Sequence, residues 1–74
     1  MIAEHACVVL ENDLPDAGLT AGDVGAVVFV HGEGDAYEVE FVDGDGTTIA
    51  LVTLDASEVR PVAAGEILHA RRRG

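Results

Sequence analysis

The stretch from Leu19 to Val42 constrains the fold more than any other part of the chain. It begins with the glycine-punctuated segment Leu19-Thr-Ala-Gly-Asp-Val-Gly-Ala-Val-Val-Phe-Val30, whose second half is an apolar run. After a polar turn, apolar and acidic residues alternate through Tyr37-Glu-Val-Glu-Phe-Val42. Strand side chains alternate between the two faces of a sheet, so this pattern predicts a strand with one buried face. The stretch therefore predicts two consecutive β-strands.

The strand predicted over Asp23 to Val30 is apolar on both faces. Strict alternation places Val27 and Phe29 on one face. Val28 and Val30 then lie on the other face. A strand of this kind is expected in a small barrel whose outer face is covered by a loop or by a partner.

A loop is predicted before this strand, over Glu11 to Gly18, because the segment is polar and contains proline and glycine. Leu14 and Leu19 are expected to fold back on the core as apolar anchors. Gly22 is expected to take a positive φ in the turn that enters the strand. Gly25, inside the strand, is expected to permit tight bending of the backbone.

The rest of the chain supplies five further elements. The short apolar run Cys7-Val-Val-Leu10 predicts a first strand. Asp43-Gly-Asp-Gly46 predicts a two-residue hairpin turn, since Asp-Gly pairs favour the turns that match strand twist, and Thr47 to Leu54 is the returning strand. Asp55-Ala-Ser-Glu58 has the spacing of a capping box and predicts one turn of 3₁₀ helix. Val59 to Val62 can then form a short closing strand.

These elements predict an all-β fold, a small SH3-like barrel of five strands with one 3₁₀ turn before the last strand. At 74 residues the chain has room for one small core. The predicted barrel covers residues 1–62. Residues 63–74 form a C-terminal extension that is expected to be loose or briefly helical around Glu66 to Arg71.

The net charge of the chain limits the classes of partner that it is expected to bind. Fourteen acidic residues stand against four arginines, which gives a formal net charge of −10. Binding to nucleic acid or to an anionic membrane needs cations, so the sequence predicts neither partner. A basic protein fits better, because long-range attraction speeds encounter. Arg71-Arg-Arg73 is interpreted as a solubilising tail or as an intramolecular clamp on the acidic face of the protein.

The sequence predicts no cofactor, no metal and no enzyme activity. Cys7 is the single cysteine, so it has no internal disulfide partner, and it is interpreted as a small buried hydrophobe. His5, His31 and His69 lie far apart and are interpreted as ordinary exposed histidines. A reducing cytoplasm is the expected compartment, because the N-terminal segment has no basic region or long apolar run typical of a signal peptide.

Two acidic motifs resemble sites of chemistry. Glu38 and Glu40 share one strand face about 7 Å apart, the arrangement of paired acid and base carboxylates. A solvated face is favoured, because no histidine, lysine or nucleophile falls in the same strand. Asp43-Gly-Asp-Gly46 resembles the start of a calcium loop, but the twelfth position is Leu54 rather than glutamate.

The candidate functional surface is therefore one that binds a partner. Its acidic members follow the central hairpin, and its apolar members are large residues expected at the loop edge. The acidic residues are Glu33, Asp35, Glu38, Glu40, Asp43 and Asp45, and the apolar residues are Leu14, Leu19 and Phe29. A desolvated apolar centre usually carries most of the affinity of an interface.

Most of the chain, from His5 to about Val62, resembles a bacterial family of small SH3-like domains of unknown function. The resemblance is carried by Val8-Val-Leu-Glu-Asn-Asp-Leu-Pro15, Leu19-Thr-Ala-Gly-Asp-Val-Gly-Ala-Val-Val28, Tyr37-Glu-Val-Glu-Phe-Val42, Asp45-Gly-Thr-Thr-Ile-Ala50 and Val59-Arg-Pro61. The second segment also resembles, more distantly, KOW-type barrels and the barrel of the nitrile hydratase beta subunit.

The resemblance implies a function but supplies no catalytic residues. Domains of this kind are similar to proteins encoded beside toxin-like or nuclease-like genes, which implies an antitoxin or immunity role. The distant resemblance to nitrile hydratase implies the alternative, an accessory or structural subunit of a larger enzyme complex. A self-associating barrel is a further alternative, because edge strands can pair.

Overall fold

In a computed structural model that describes residues 1–73, five strands form one antiparallel sheet. Gly74, the last residue of the predicted extension, lies outside the described residues. The strands are β1 (Cys7–Leu10), β2 (Val24–His31), β3 (Ala36–Val42), β4 (Thr48–Asp55) and β5 (Val59–Pro61). Their order across the sheet is β4-β3-β2-β1-β5. Short 3₁₀ turns span Pro15–Ala17 and Ala56–Glu58. The prediction of an all-β fold with five strands and a 3₁₀ turn before the last strand is confirmed.

Strand β3 has the two faces that its alternating sequence predicts. Tyr37, Val39 and Phe41 are 2%, 0% and 3% exposed, and all three belong to the core. The core also takes buried residues from β1, β2, β4, β5 and the first loop, namely Val8, Leu10, Leu19, Val27, Leu54 and Val59. Aliphatic and aromatic burial of this kind is the main favourable contribution to folding.

Strand β2 departs from strict alternation because it contains a β-bulge. Val27 lies opposite Val39, whereas the next paired residue is Phe29, opposite Glu38, so Val28 is the extra residue. A bulge of one residue reverses the facing of everything that follows it. Phe29 is consequently 50% exposed, and Val30 packs against the core instead. The prediction that Phe29 shares a face with Val27 is wrong for this reason.

Gly25 is required by close packing between strands. A Cβ atom at this position would lie 2.7 Å from Cγ1 of Val39 and 2.9 Å from Cε1 of Phe41. These distances are too short for real carbon contacts, so the absence of a side chain lets β2 and β3 close over the core. Close packing is therefore a role of Gly25, and the role in bending stays a prediction.

The first strand is confirmed, but the placement of its cysteine is not. Val8 and Leu10 are 0% and 1% exposed. Cys7 is exposed, because the strand begins there and the residue lies opposite Ala26 on the face away from the core. The prediction of a buried Cys7 is wrong.

The first loop is anchored as predicted. Leu14 and Leu19 form an isolated bridge in which each amide donates to the other's carbonyl, at 2.9 and 3.1 Å. Leu19 is 4% exposed and Leu14 packs against the core. Gly22 has φ of 94°, as expected, and its amide donates to the carbonyl of Leu10 at 2.8 Å.

The turn between β3 and β4 is longer than the predicted two-residue hairpin. The amide of Asp43 pairs with the carbonyl of Thr47 at 3.0 Å, and the positive φ falls on Gly46, at 81°. The Asp43 carboxylate accepts the amides of Asp45 and Thr47 at 2.9 and 3.0 Å. This side-chain closure of the turn favours the longer loop.

The capping box is confirmed, and the possible helix in the extension is not. Glu58 Oε1 accepts the amide of Asp55 at 2.8 Å at the start of the second 3₁₀ turn. Residues 63–73 contain one turn and otherwise irregular backbone. In the part of the chain that the structure describes, no helix has the length and apolar character to cross a membrane.

Candidate functional site

The candidate site lies on the side of strands β2, β3 and β4 that points away from the core, here called the outer face. Two rows of cross-strand neighbours build it. One row runs from Phe29 through Glu38 to Thr53. The other runs from Ala26 through Glu40 to Leu51. Side chains directly opposite in a sheet lie about 5 Å apart and interact, so each glutamate has a neighbour on both sides.

Glu38 is the most constrained side chain of the outer face. Its Oε2 accepts a hydrogen bond from Thr53 Oγ1 at 2.6 Å and contacts His31 Nε2, also at 2.6 Å. The hydrogen bond from Thr53, and then that from His31, lowers the pKa of Glu38 below its ordinary value. The carboxylate is therefore held ionised and fixed in direction.

Glu40 is oriented in a similar way by a second threonine of β4. Thr48 Oγ1 donates to Glu40 Oε2 at 2.6 Å. Leu51, its neighbour on β4, is 60% exposed. The carboxyl group of Glu40 thus lies beside a large apolar side chain that the fold leaves exposed.

Four large apolar side chains surround the two glutamates. Val28, Phe29, Val42 and Leu51 are 38%, 50%, 52% and 60% exposed. The rings of Phe29 and His31 meet edge to face, with centroids 4.9 Å apart and planes at 72°. Scattered exposed apolar residues are normal, but these flank oriented carboxylates on three adjacent strands, so the outer face offers apolar contact and negative charge together.

The other predicted acidic residues lie in turns at the two ends of β3. Glu33 and Asp35 belong to the turn before it, and Asp43 and Asp45 to the turn after it. Seven residues of strand separate these turns by about 20 Å. Only Glu38 and Glu40 of the predicted acidic set therefore share the outer face.

The three predicted apolar residues are not brought together. Phe29 is on the outer face, Leu14 is half-buried in the first loop, and Leu19 is in the core. A side chain that is 4% exposed, as Leu19 is, has no area to offer a partner. Phe29 is the member of the set whose exposure suits contact.

The grouping of His31, Glu38 and Thr53 was missed in the sequence. The three residues come from three different strands, so spacing along the chain does not reveal them. The register between β3 and β4 would have revealed the grouping, because it places Thr53 directly opposite Glu38. A bulge in β2 shifts that register by one residue, so simple alternation does not predict the position of His31.

These three groups do not have the order of hydroxyl, histidine and carboxylate that a catalytic triad requires. Both the Thr53 hydroxyl and the His31 ring are directed at the same oxygen of Glu38. In a triad the hydroxyl instead forms its own hydrogen bond to the histidine. Among residues 1–73, His, Cys, Asp and Glu side chains form no group of three that could hold a metal ion.

Comparison with known proteins identifies a family. A family model described as "Domain of unknown function (DUF4926)" matches residues 4–61. No curated protein and no solved structure gives a significant match. The matched residues include all five strands and both glutamates of the outer face.

Proposed function

The chain belongs to the DUF4926 family of domains, and we propose that it is a non-catalytic protein-interaction module whose outer face binds a basic protein. The observation that carries the proposal is the pairing of Glu38 and Glu40, each held by a hydroxyl hydrogen bond, with exposed Phe29 and Leu51. Interfaces use a few apolar anchors for affinity and charge for orientation. The outer face combines both within two neighbouring rows.

The hydrogen bonds prepare the glutamates for a cationic partner. Thr53 and His31 occupy Oε2 of Glu38, and Thr48 occupies Oε2 of Glu40. The second oxygen of each carboxylate is the acceptor for an arginine or lysine of the partner. A side chain whose direction is already fixed loses little conformational entropy on binding, which favours affinity.

The net charge of −10 supports fast capture of a basic partner. Complementary charge raises association rates at low salt, and screening reduces them as the Debye length falls to about 8 Å at physiological salt. The association rate of the proposed complex should therefore fall steeply with ionic strength. Its dissociation rate should depend mainly on the apolar contacts of Phe29 and Leu51.

The most specific form of the proposal is an antitoxin or immunity protein. The outer face would cover the active site or substrate channel of a basic enzyme, and inhibition by occlusion requires no chemistry from this chain. The proposal places the complex in the cytoplasm, where an exposed single thiol such as that of Cys7 stays reduced.

The test uses the product of the adjacent reading frame, co-expressed with this chain. Binding of the co-purified protein is measured by calorimetry for wild type, for Glu38→Gln with Glu40→Gln, and for a control with Glu33→Gln and Asp45→Asn. Both double variants remove two charges, but only the first alters the outer face. We expect at least tenfold weaker binding for the first and a small change for the control. Equal affinity of both variants would overturn the assignment to the outer face.

A second candidate is a structural subunit or a self-associating domain that pairs through β4. In residues 1–73, β4 is a terminal strand of the sheet, eight residues long, with Leu51 exposed on it. Edge strands with apolar residues are templates for pairing. This candidate predicts an association that is insensitive to salt, and sedimentation at 50 and 500 mM salt distinguishes it from electrostatic capture.

A further inference from the structure

The C-terminal strap, defined as residues 63–73, is fastened to the first loop through one arginine. Arg71 Nε donates to Asp23 Oδ1 at 2.7 Å, and Arg71 Nη2 donates to Asp23 Oδ2 at 2.7 Å. The same Nη2 also donates to the carbonyl of Gly18 at 3.0 Å. The guanidinium thus meets a carboxylate through two parallel hydrogen bonds and a backbone acceptor through a third.

The two acceptors are arranged by the loop itself. The Asp23 carboxylate accepts the amide of Thr20 at 2.9 Å, and its side chain is 15% exposed. Gly18 has φ of 73°, and Leu19 beside it is anchored in the core. Arg71, the largest influence, lowers the pKa of Asp23 despite the opposing effect of partial burial. None of these loop contacts is made by the strap, so we expect the acceptors to keep their positions when the strap leaves.

The site opens into a cleft of about 320 Å³. Its walls combine core residues, Leu19 and Phe41, with Ile49 of β4, and the strap contributes His69, Ala70 and Arg71. A carboxylate next to an apolar wall suits the charged head and the apolar stem of an arginine.

Apolar burial does not hold the strap in place. Ile67 and Leu68 are 91% and 61% exposed. The strap is attached by ion pairs at its two ends, Arg60 with Glu66 at 2.6 Å and Arg71 with Asp23 at 2.7 Å. The strap therefore depends on these two ion pairs, and a competing guanidinium can replace the one at Asp23.

We propose that Asp23 and the carbonyl of Gly18 form an arginine-binding site for a basic protein, and that Arg71 occupies it as a tethered competitor. The inference rests on the proposed function only for the basic character of the partner, since the site lies outside the outer face. The strap therefore lowers the apparent affinity of the cleft until an arginine of the partner replaces Arg71.

The geometry selects arginine over lysine. Two parallel bonds to a carboxylate and one to a carbonyl use the planar fork of a guanidinium. An ammonium group is a point donor and does not reproduce the paired contacts with Asp23 Oδ1 and Oδ2. The residue of the strap that fills the site, Arg71, is itself an arginine.

The covalent attachment of Arg71 to the same chain determines how strongly it competes with an external arginine. A ligand attached to the same chain acts at a high effective concentration, and an external ligand binds only the fraction of molecules whose site is open. Because the contact is bidentate and Asp23 is 15% exposed, the upper end of the range for surface ion pairs applies, which shifts that fraction by about fivefold. Removal of Arg71 should therefore strengthen binding of an external arginine by about the same factor.

The experiment uses the full chain and a capped peptide with the sequence Ile-Leu-His-Ala-Arg-Arg-Arg of residues 67–73. Binding is followed by amide chemical shifts of Gly18 and Asp23 in wild type, Arg71→Ala and Arg72→Ala. The last variant is the matched control, because it removes the same charge, and within residues 1–73 the structure gives Arg72 no ion pair. We expect about fivefold tighter binding to Arg71→Ala than to Arg72→Ala. Equal binding to both variants would overturn the proposal.

Two further arms separate the site from general attraction to an acidic protein. Asp23→Asn in the Arg71→Ala background should abolish the added affinity, and a peptide with lysines in place of arginines should bind several-fold more weakly. The lysine peptide leaves the protein unaltered, so it decides the matter even if Asp23→Asn disturbs the loop. Equal binding of the two peptides contradicts a guanidinium site.

A second copy of the chain is the competing occupant. Sedimentation of the wild type from 10 μM to 1 mM should give a constant mass, because the strap is satisfied within its own chain. A dimer that Arg71→Ala abolishes would overturn the proposal in favour of strap exchange. The peptide should bind equally to Glu38→Gln with Glu40→Gln in the Arg71→Ala background, so failure of the outer face and failure of this site are distinguishable.

Discussion

Thr53 on β4 lies directly opposite Glu38 on β3 and donates a hydrogen bond of 2.6 Å to its carboxylate. The hydroxyl fixes the direction of the charge that we propose for partner binding. Hydrogen bonds to a charged acceptor are shorter and stronger than neutral ones. The pKa of Glu38 therefore reports whether this hydrogen bond on the outer face is intact.

Thr53→Val should raise the pKa of Glu38 toward its ordinary value. Valine has nearly the shape of threonine and suits a strand, so the sheet should stay intact. The hydrogen bond from Thr53 is the largest influence that lowers the pKa of Glu38. Carboxyl carbon shifts measured against pH report the change. Thr48→Val, which removes the hydroxyl from Glu40, is the control and should leave the Glu38 titration in place.

Phe41→Ala should destabilise the fold by about 3–5 kcal/mol, because it removes a core ring and leaves a cavity. Val39→Ala, also in the core, should cost about 2 kcal/mol or more. Val42→Ala is the control on the same strand, since Val42 is 52% exposed, and should change stability by less than about 0.5 kcal/mol. Urea unfolding measures all three. A large loss for Val42→Ala would mean that the faces of β3 are reversed.

Gly25→Ala should cost about 1–3 kcal/mol through overpacking against β3. The added methyl would meet the backbone carbonyl of Glu40 at 2.8 Å as well as the Val39 side chain, so relief requires a shift of the strand. Gly44→Ala is the matched control, because a Cβ atom there meets nothing within 4 Å. Thermal unfolding compares the two variants, and similar melting temperatures would contradict close packing at Gly25.

The ion pair of Arg60 with Glu66 should resist acid. Arg60, the first cause, and the amide of Ala63 lower the pKa of Glu66 to about 2, from an ordinary value of 4.5. Because the folded pKa is the lower one, the stabilisation is complete above pH 4.5 and is lost as the pH falls toward 2. NMR titration of the Glu66 carboxyl measures this directly. In Arg60→Gln the titration should return toward the ordinary value, and an unchanged pKa would contradict the pairing.

Cys7 should react with a thiol reagent in the native protein. The side chain is exposed on the first residue of β1, so the rate should approach that in urea. Cys7→Ser should change stability by less than about 0.5 kcal/mol, since a surface residue is replaced. Protection of the thiol in the native state would contradict this placement. Unfolding curves of the variant provide the independent check.

Local patterns in the sequence predict much of the fold, because the interactions that decide them are close along the chain. The faces of β3, the Leu14 and Leu19 anchors and the Asp55 to Glu58 capping box all depend on neighbours a few residues apart. The exposed side of Phe29 depends instead on a bulge, which is a property of the pairing between β2 and β3. A single strand does not encode that pairing.

The candidate site was harder to predict for the same reason. Glu38 and Glu40 were identified as candidates by their alternation, but His31 and Thr53 join Glu38 only through the register of three strands. Arg71 and Asp23 are 48 residues apart and meet because an irregular segment returns across the first loop. Irregular backbone has no periodicity from which such a contact follows.

The surplus residue Val28 makes the bulge of β2 a determinant of surface chemistry. If Val28 took a regular place in the ladder opposite Glu38, strict alternation would turn the aromatic ring of Phe29 inward and Val30 outward. Deletion of Val28 would instead leave Phe29 directly after Val27, opposite Glu38 and still on the outer face. A chain one residue shorter at this point would therefore present the same outer face, whereas a full-length β2 without the bulge would present a different one.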